Sequence, residues 1–214
     1  MFPLPSFNIL RSTQSRNDYA ELYEQSSGLP IPQDYLHDPA NRVFGIVRDR
    51  VLVGGFILGE GEALRTVKVF ASPADQVNID GMAGDVGERT EITCFWISAA
   101  VRREVTLNRF IWISMIYALT RYSKRTIVFG TCSKGLARLY ATSQRAELVS
   151  RDRIDRKSTF IFRAEKRDAI AGFCNILAFK STWKWNPLRW IMKSKNGGLA
   201  TLSPRYRRSA AKAA

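Results

Sequence analysis

The chain has 214 residues, of which 45% are hydrophobic and 24% charged, so it can bury one substantial core and is not predominantly disordered. No apolar run approaches the roughly 18–20 residues that a membrane span needs. The first residues, Met-Phe-Pro-Leu-Pro, lack the pattern of a signal peptide. We therefore expect a cytoplasmic protein.

Cysteine and histidine are too few and too scattered to indicate a metal site. The three cysteines, Cys94, Cys132 and Cys174, lie far apart in the sequence, and His37 is the only histidine. This usage indicates neither a disulfide framework nor a zinc site, and it leaves almost no material for a histidine-based catalytic triad. We expect no metal.

The formal net charge of +14 is concentrated in the last third of the chain. Residues 151–214 hold 16 basic and four acidic side chains, whereas residues 1–150 hold 17 and 15. After Asp168 there is no acidic residue, and nine basic ones follow. A tail of this composition predicts binding to a polyanion or to an anionic membrane surface.

The first half of the chain carries the pattern of one helix followed by strands. Aromatic and aliphatic residues recur at helical spacing over 17–25, and a glycine and two prolines then end the helix. The β-rich runs 42–47 and 51–58, joined by Arg-Asp-Arg, predict an antiparallel hairpin. A third strand is predicted over 64–69.

The second half alternates strands and helices. The run 91–97 predicts a strand, and the apolar spacing over 107–122 predicts a central helix that Thr106 can cap. A strand, a helix and a final strand follow, at 126–131, from Ser133 and at 157–163. This order predicts a mixed α/β domain around a largely antiparallel sheet.

After Arg167 the composition changes, so we predict a domain over 1–167 and an extension over 168–214, partly disordered at its end. In the extension, tryptophans alternate with basic residues: Trp183, Lys184, Trp185, Arg189, Trp190 and Lys193. Such a segment can hold a protein on an anionic membrane. It can also stack on single-stranded nucleic acid, which we consider less favoured, or simply pack as a final helix.

Residues 15–163 resemble the GNAT acyltransferase superfamily in the order and spacing of their motifs. The segment 91–95, Glu-Ile-Thr-Cys-Phe, is similar to the Glu-x-Ser-Arg-Phe motif of acyl-homoserine-lactone synthases. The strand 126–131 and the following Gly-Leu-Ala-Arg-Leu-Tyr resemble the later strand–helix unit of the superfamily. The acyl-homoserine-lactone synthase and N-acyl amino acid synthase branches are nearest in motif order.

The resemblance implies transfer of an acyl group from an acyl-thioester, either acyl-CoA or an acylated acyl carrier protein, to a small amine. It implies that Glu91 is the base and Tyr140 the acid for the leaving thiolate. The donor would be held by Ile97 at the end of the strand and, at the helix start, by Arg102, Arg103 and Arg109. The chain departs from the family in having Cys94 at the arginine position and no glycine-rich phosphate loop.

A non-catalytic interpretation stays open beside this one. Glu91 would then be a solvated strand residue, Tyr140 a core aromatic and the arginines a solvated basic turn. The protein would be a GNAT-like module that binds nucleic acid or a protein partner through its basic tail. An open cleft between the strands near Glu91 and Thr126 would favour the enzyme, and a filled one would favour the module.

Overall fold

A computed structural model describes residues 5–60, 64–72, 76, 81, 85–99, 101–143, 145–154 and 157–182. The described residues form one seven-stranded sheet. Its strands are β1 (Ser6–Ile9), β2 (Arg42–Arg48), β3 (Val51–Gly59), β4 (Arg89–Ile97), β5 (Thr126–Thr131), β6 (Glu147–Ile154) and β7 (Lys157–Glu165). The helices are α1 (Thr13–Ser27), α2 (Gln33–His37), α3 (Arg65–Phe70), α4 (Val105–Tyr122), α5 (Lys134–Ser143) and α6 (Lys166–Thr182), with a 3-10 turn at Val86–Glu88.

The sheet is mixed and largely antiparallel, as predicted. Its strand order is β1-β2-β3-β4-β5-β7-β6. Every neighbouring pair is antiparallel except β4 and β5, which run parallel. A parallel pair requires a crossover connection, and the central helix α4 provides it.

The two faces of the sheet bury different helices. On the face that we call the front, α1, α2 and α3 pack on residues such as Ile57 and Val128. On the back face, α4, α5 and α6 pack on a continuous apolar layer that includes Phe56 and Phe129. Because strand side chains alternate between the faces, neighbouring positions in one strand belong to opposite layers.

Helix α1 is longer than the predicted 17–25 because both of its ends are capped. The Ser12 side chain accepts a hydrogen bond from the Ser15 N–H at 3.2 Å. At the other end Gly28 adopts the left-handed conformation, with φ of 72°. The helix buries Tyr19 and Tyr23 against the front face.

The predicted strand at 64–69 is wrong, because this segment forms helix α3. Leu64, Val67 and Ala71 share one side of the helix and are buried against Val128 and Ile161 of the front face. This three-to-four spacing fits a helix better than the alternation of a strand. The carboxylate of Glu91, far away in the sequence, holds the helix start, a long-range contact that local pattern does not reveal.

The remaining predicted elements are confirmed, with adjusted ends. The sequence pattern missed β1, α2 and β6, and α4 begins at Val105 after Glu104, without a side-chain cap from Thr106. Helix α6 runs across the boundary predicted at 167/168 and packs against α4. None of the helices in the described part of the chain is long and apolar enough to cross a membrane.

Helix α1 approaches the sheet closely at Gly55. A β-carbon at Gly55 would collide with the carbonyl oxygen of Phe44 and lie 2.7 Å from Cε2 of Tyr19. Neither group can move without shifting backbone or a fully buried ring. The glycine is therefore required by the space between the strand and the helix.

We expect Gly55→Ala to lower the free energy of unfolding by roughly 1–3 kcal/mol, because overpacking a close contact costs about that much. Gly87→Ala is the matched control, since a β-carbon there meets no heavy atom within 4 Å. Chemical denaturation of the two variants and the parent measures the difference. Equal stability of all three proteins would contradict the close approach.

Candidate active site

Strand β4 contains a bulge at its middle. Its pairing with β3 shifts between Gly55 and Ile57, because Trp96 pairs with Gly55 while Thr93 pairs with Ile57. The extra residue falls at Cys94, which has a φ of 52°. Cys94 and Trp96 consequently pack into the front cluster.

The parallel strands β4 and β5 separate just beyond this level. They pair at four positions, from Arg89 with Thr126 to Ile92 with Phe129. Strand β4 then continues to Ile97 and β5 to Thr131 without further pairing between them. Glu91 and Thr126 both lie where the two strands are still paired. The strands therefore separate further along than the sequence suggested.

Glu91 is buried on the front face and bound by three donors. Its Oε1 accepts hydrogen bonds from the Tyr35 hydroxyl at 2.6 Å and from the Arg65 N–H at 2.9 Å. Its Oε2 accepts one from the Thr66 N–H at 2.8 Å. The carboxylate therefore binds the first turn of α3, where the unpaired N–H groups of a helix favour an anion.

Tyr35, which the sequence analysis did not identify, completes the environment of this carboxylate. Burial and the neighbouring charge of Glu91 raise the pKa of Tyr35 well above its usual value. The hydroxyl therefore stays protonated and remains a donor to Glu91. Its only sequence signal is a place in the Asp-Tyr-Leu-His-Asp segment, where histidine attracts attention first.

Tyr140 lies on α5 at the back face. Its ring meets Phe129 and Phe162 edge-on, with ring centroids 4.8 and 5.9 Å away. Burial raises the pKa of Tyr140 to about 12. The phenol is protonated at neutral pH, as a proton donor must be, and the raised pKa makes it a weaker acid than an exposed tyrosine.

The structure therefore places Glu91 and Tyr140 on opposite faces of the sheet. Glu91 pairs in register with Val128 of the front layer, whereas Tyr140 packs on Phe129 of the back layer. The two side chains can serve one reaction only if the reacting atoms lie in the gap between β4 and β5. The separation of these strands beyond Ile92 and Phe129 provides that gap.

The predicted donor-binding residues cluster where β4 leads into α4. Ile97 ends β4, and its carbonyl accepts a hydrogen bond from Nε of Arg102 at 2.9 Å. Arg102 and Arg103 are exposed, and Arg109 is half-buried in the second turn of the helix. The helix start has no side-chain cap, so its first N–H groups remain available to an anion.

A row of stacked aromatic rings borders the gap on the back face. The rings of Phe95 and Trp112 lie 5.7 Å apart, and those of Trp112 and Phe173 lie 5.4 Å apart. They come from β4, α4 and α6 respectively. The row gives the back of the gap an apolar lining.

The Cys94 thiol is not suited to act as a nucleophile in this site. Burial raises the pKa of the Cys94 thiol to about 11, so it is a poor nucleophile at neutral pH. Among the described residues, no three His, Cys, Asp or Glu side chains are grouped so as to hold a metal ion. The tail residues predicted to contact membrane or nucleic acid, Trp183, Lys184, Trp185, Arg189, Trp190 and Lys193, lie outside the described residues.

Comparison with known proteins gives a clear answer at the level of fold. No family model matches the sequence, and no curated protein matches it. FeeM, an N-acyl amino acid synthase from uncultured soil microbes, matches with a TM-score of 0.57 at 13% identity, over 77% of this chain and 92% of its own. MesI, a CoA-dependent acyl-homoserine lactone synthase, matches with a TM-score of 0.54 at 12% identity, over 81% and 95%.

A third match comes from a different acceptor class. A ribosomal-protein alanine N-acetyltransferase from Escherichia coli matches with a TM-score of 0.52 at 10% identity, over 76% of this chain and 94% of its own. The chain thus has the fold of the GNAT acyltransferase superfamily, as the order of its motifs predicted. At 10–13% identity the likeness concerns the fold.

We expect Glu91→Gln to lower the free energy of unfolding by roughly 1–3 kcal/mol. The amide replaces one acceptor oxygen with a donor, so at least one of the buried donors at Glu91 loses its partner. Glu165→Gln is the control, because Glu165 is exposed and its ion pair with Arg125 should contribute no more than about 1 kcal/mol. Denaturant midpoints of both variants give the comparison, and equal midpoints would refute the anchoring role.

Proposed function

We propose that this protein is an acyltransferase that moves an acyl group from a thioester to an amine. The observation that carries the proposal is the parallel pair β4–β5, which separates after four paired positions with a bulge in β4. Candidate groups for proton transfer, Glu91 and Tyr140, lie on the two sides of this pair. Acyl transfer needs an extended backbone to hold the donor, a base and an acid, and it needs no metal.

In this mechanism the amine nitrogen attacks the thioester carbonyl, so that a C–N bond forms and the C–S bond breaks. Glu91 takes the proton of the attacking nitrogen, directly or through water. Tyr140 gives its proton to the departing sulfur, for which a phenol that remains protonated at neutral pH is suited. Solvent then returns both residues to their starting protonation states.

The donor enters from the side of Arg103, where α4 begins. Basic side chains and free helical N–H groups meet there, which suits a pyrophosphate or phosphopantetheine group. A carrier protein could present its acidic surface to the same side chains. The CoA dependence of MesI supports CoA as donor, and the arginines without a glycine loop leave the carrier protein as the second candidate.

The acyl chain in this proposal is long, because the rings of Phe95, Trp112 and Phe173 border the gap. An acetyl group would leave this apolar row unused, whereas a fatty acyl chain can lie against it. An N-acyl product with a long hydrophobic chain would also suit a protein whose basic, tryptophan-rich tail holds it on an anionic membrane. That tail interaction stays a prediction from the sequence.

A second candidate function is a non-catalytic GNAT-like module that binds a protein or nucleic acid through its tail. The rings of Phe95, Trp112 and Phe173 favour it, because stacked apolar side chains behind the strands are also what a packed core shows. The two candidates differ in whether an acyl-amine product forms.

The decisive experiment incubates the purified chain with short- and long-chain acyl-CoAs and acylated carrier proteins, together with a mixture of amines, and detects products by mass spectrometry. We expect an amide from a long-chain donor. Glu91→Gln should lower kcat by about 100-fold or more, and Tyr140→Phe by a similar or smaller factor.

Tyr117→Phe is the matched control. This substitution also removes a tyrosine hydroxyl, but Tyr117 is exposed on α4. Absence of any product from the folded protein with every donor would favour the module. Unchanged kcat in both site variants would leave Glu91 and Tyr140 with structural roles alone.

A substitution at Arg103 tests the proposed donor entrance without disturbing the core, because Arg103 is exposed. We expect Arg103→Ala to raise the donor KM by about tenfold or more, since a charge-assisted contact to phosphate is worth roughly 1.5–3 kcal/mol. Arg121→Ala, an exposed arginine at the other end of α4, should leave the KM unchanged. If the two variants have the same donor KM, the entrance lies elsewhere.

A further inference from the structure

Strand β1 forms one edge of the sheet, and one side of its backbone has no strand partner within the described residues. The N–H of Leu10 donates to the carbonyl of Val43 at 2.8 Å, so this pair and every second pair before it are of the hydrogen-bonded kind. Phe7 and Ile9 fall between those pairs. Their N–H and C=O groups therefore point away from β2, at the spacing that an added strand requires.

The sequence of β1 carries no charge that would discourage such pairing. The opposite edge strand, β6, contains the charged residues Arg151 and Asp152, and charges on an edge strand oppose the addition of another strand. The sequence of β1 is Ser-Phe-Asn-Ile. Of the two edges, β1 is the one suited to accept a further strand.

A groove of about 290 Å³ follows the same edge on the back face. Four aromatic rings line it, those of Phe7, Phe44, Tyr117 and Tyr122. The ring of Phe7 stacks on Phe44 with centroids 5.1 Å apart and meets Tyr117 edge-on at 6.3 Å. Tyr117 and Ile113, one turn apart on α4, are 56% and 55% exposed. A strand beside β1 would place alternate side chains against this apolar surface.

The charge around the groove is positive. Arg11, which follows β1, lines the groove, is exposed and makes no hydrogen bond or ion pair within the described part of the chain. Two segments that form the walls, within residues 1–17 and 105–146, contain no Asp or Glu. Arg42, beside the ring of Tyr122, is paired with Glu60 at 2.9 Å and adds no net charge. Carboxylates next to apolar side chains would complement this surface.

The same charge disfavours the two occupants that the chain itself could supply. The segment after Thr182 holds eight basic residues and no acidic one, and a second copy of the protein brings a further net charge of +14. Both would be repelled by a basic groove. A lipid surface has no backbone groups that could pair with those of Phe7 and Ile9.

We propose that the groove at β1 binds an extended, acidic segment of a partner protein, which adds to the sheet as an eighth strand. Main-chain hydrogen bonds to Phe7 and Ile9 supply affinity, and alternate apolar side chains in the groove supply specificity. Carboxylates beside them pair with Arg11. Tyr117 lies 12 residues after Val105, about 18 Å along α4 from the proposed donor entrance. The partner site is therefore independent of acyl transfer.

The first test selects ligands from a display library of short random peptides on the immobilised full-length protein. Peptides that bind the Arg11→Glu variant are subtracted, and peptides that bind Arg151→Glu are kept, because Arg151 is an exposed arginine on the opposite edge strand. We expect the remaining peptides to alternate apolar with polar residues and to carry Asp or Glu beside the alternating stretch. No remaining peptide, or basic ones, would overturn the proposal.

The second test asks whether a selected peptide binds as a strand. Single N-methyl groups placed along the peptide each remove one N–H, and an added strand uses every second N–H for pairing. Fluorescence anisotropy should therefore show binding that is about tenfold weaker at alternate positions. Equal tolerance of N-methylation along the peptide would overturn strand addition.

The third test places the peptide in the groove. Ile113→Asp removes apolar surface and adds a charge that repels an acidic peptide, so we expect about tenfold weaker binding. Val105→Asp is the matched control, because Val105 is an equally exposed aliphatic residue at the other end of α4. Equal affinity of the two variants would refute the location. Self-association of the parent that Arg11→Glu abolishes, seen by sedimentation, would identify a second copy as the occupant and overturn the partner.

Discussion

The buried carboxylate of Glu91 is the interaction on which the front of this molecule depends. Glu91 is only 1% exposed, and a buried carboxylate is tolerable only when its oxygens accept hydrogen bonds. Here the donors come from α2 and from the start of α3. One side chain of β4 thereby fixes two segments that are distant in sequence. The buried position of Arg65 follows from it, because Glu91 binds the N–H of that residue.

The sheet and its faces were largely predictable, since they follow from local periodicity. A short stretch of sequence was enough to predict the hairpin of β2 and β3, the helix α4 from its apolar spacing and the strand β5 from its β-rich run. The sequence pattern missed β1 because it is only four residues long, and it missed β6 because the polar run Ser-Arg-Asp-Arg interrupts its hydrophobic pattern. Both strands lie at an edge of the sheet. The sequence pattern missed helix α3 because Glu91 holds its start, through a contact between residues that are 25 positions apart.

The motif order suggested Glu91, Tyr140 and the arginines at the helix start as members of the candidate site, and these roles stay predictions. Periodicity does not show that the first two residues face opposite sides of the sheet. Tyr35, which completes the environment of Glu91, carries no motif at all. Only the three-dimensional arrangement shows its hydrogen bond to that carboxylate.

Helix α6 runs antiparallel to the central helix, and this direction determines where α6 ends. The Lys166 ammonium donates to the carbonyls of Thr120 and Ser123 at the C-terminal end of α4, whereas Phe173 has already reached the level of Trp112. At about 1.5 Å per residue, the end of α6 comes level with the first turn of α4. The described part of the chain therefore ends on the same side of the sheet as the proposed donor entrance at the start of α4.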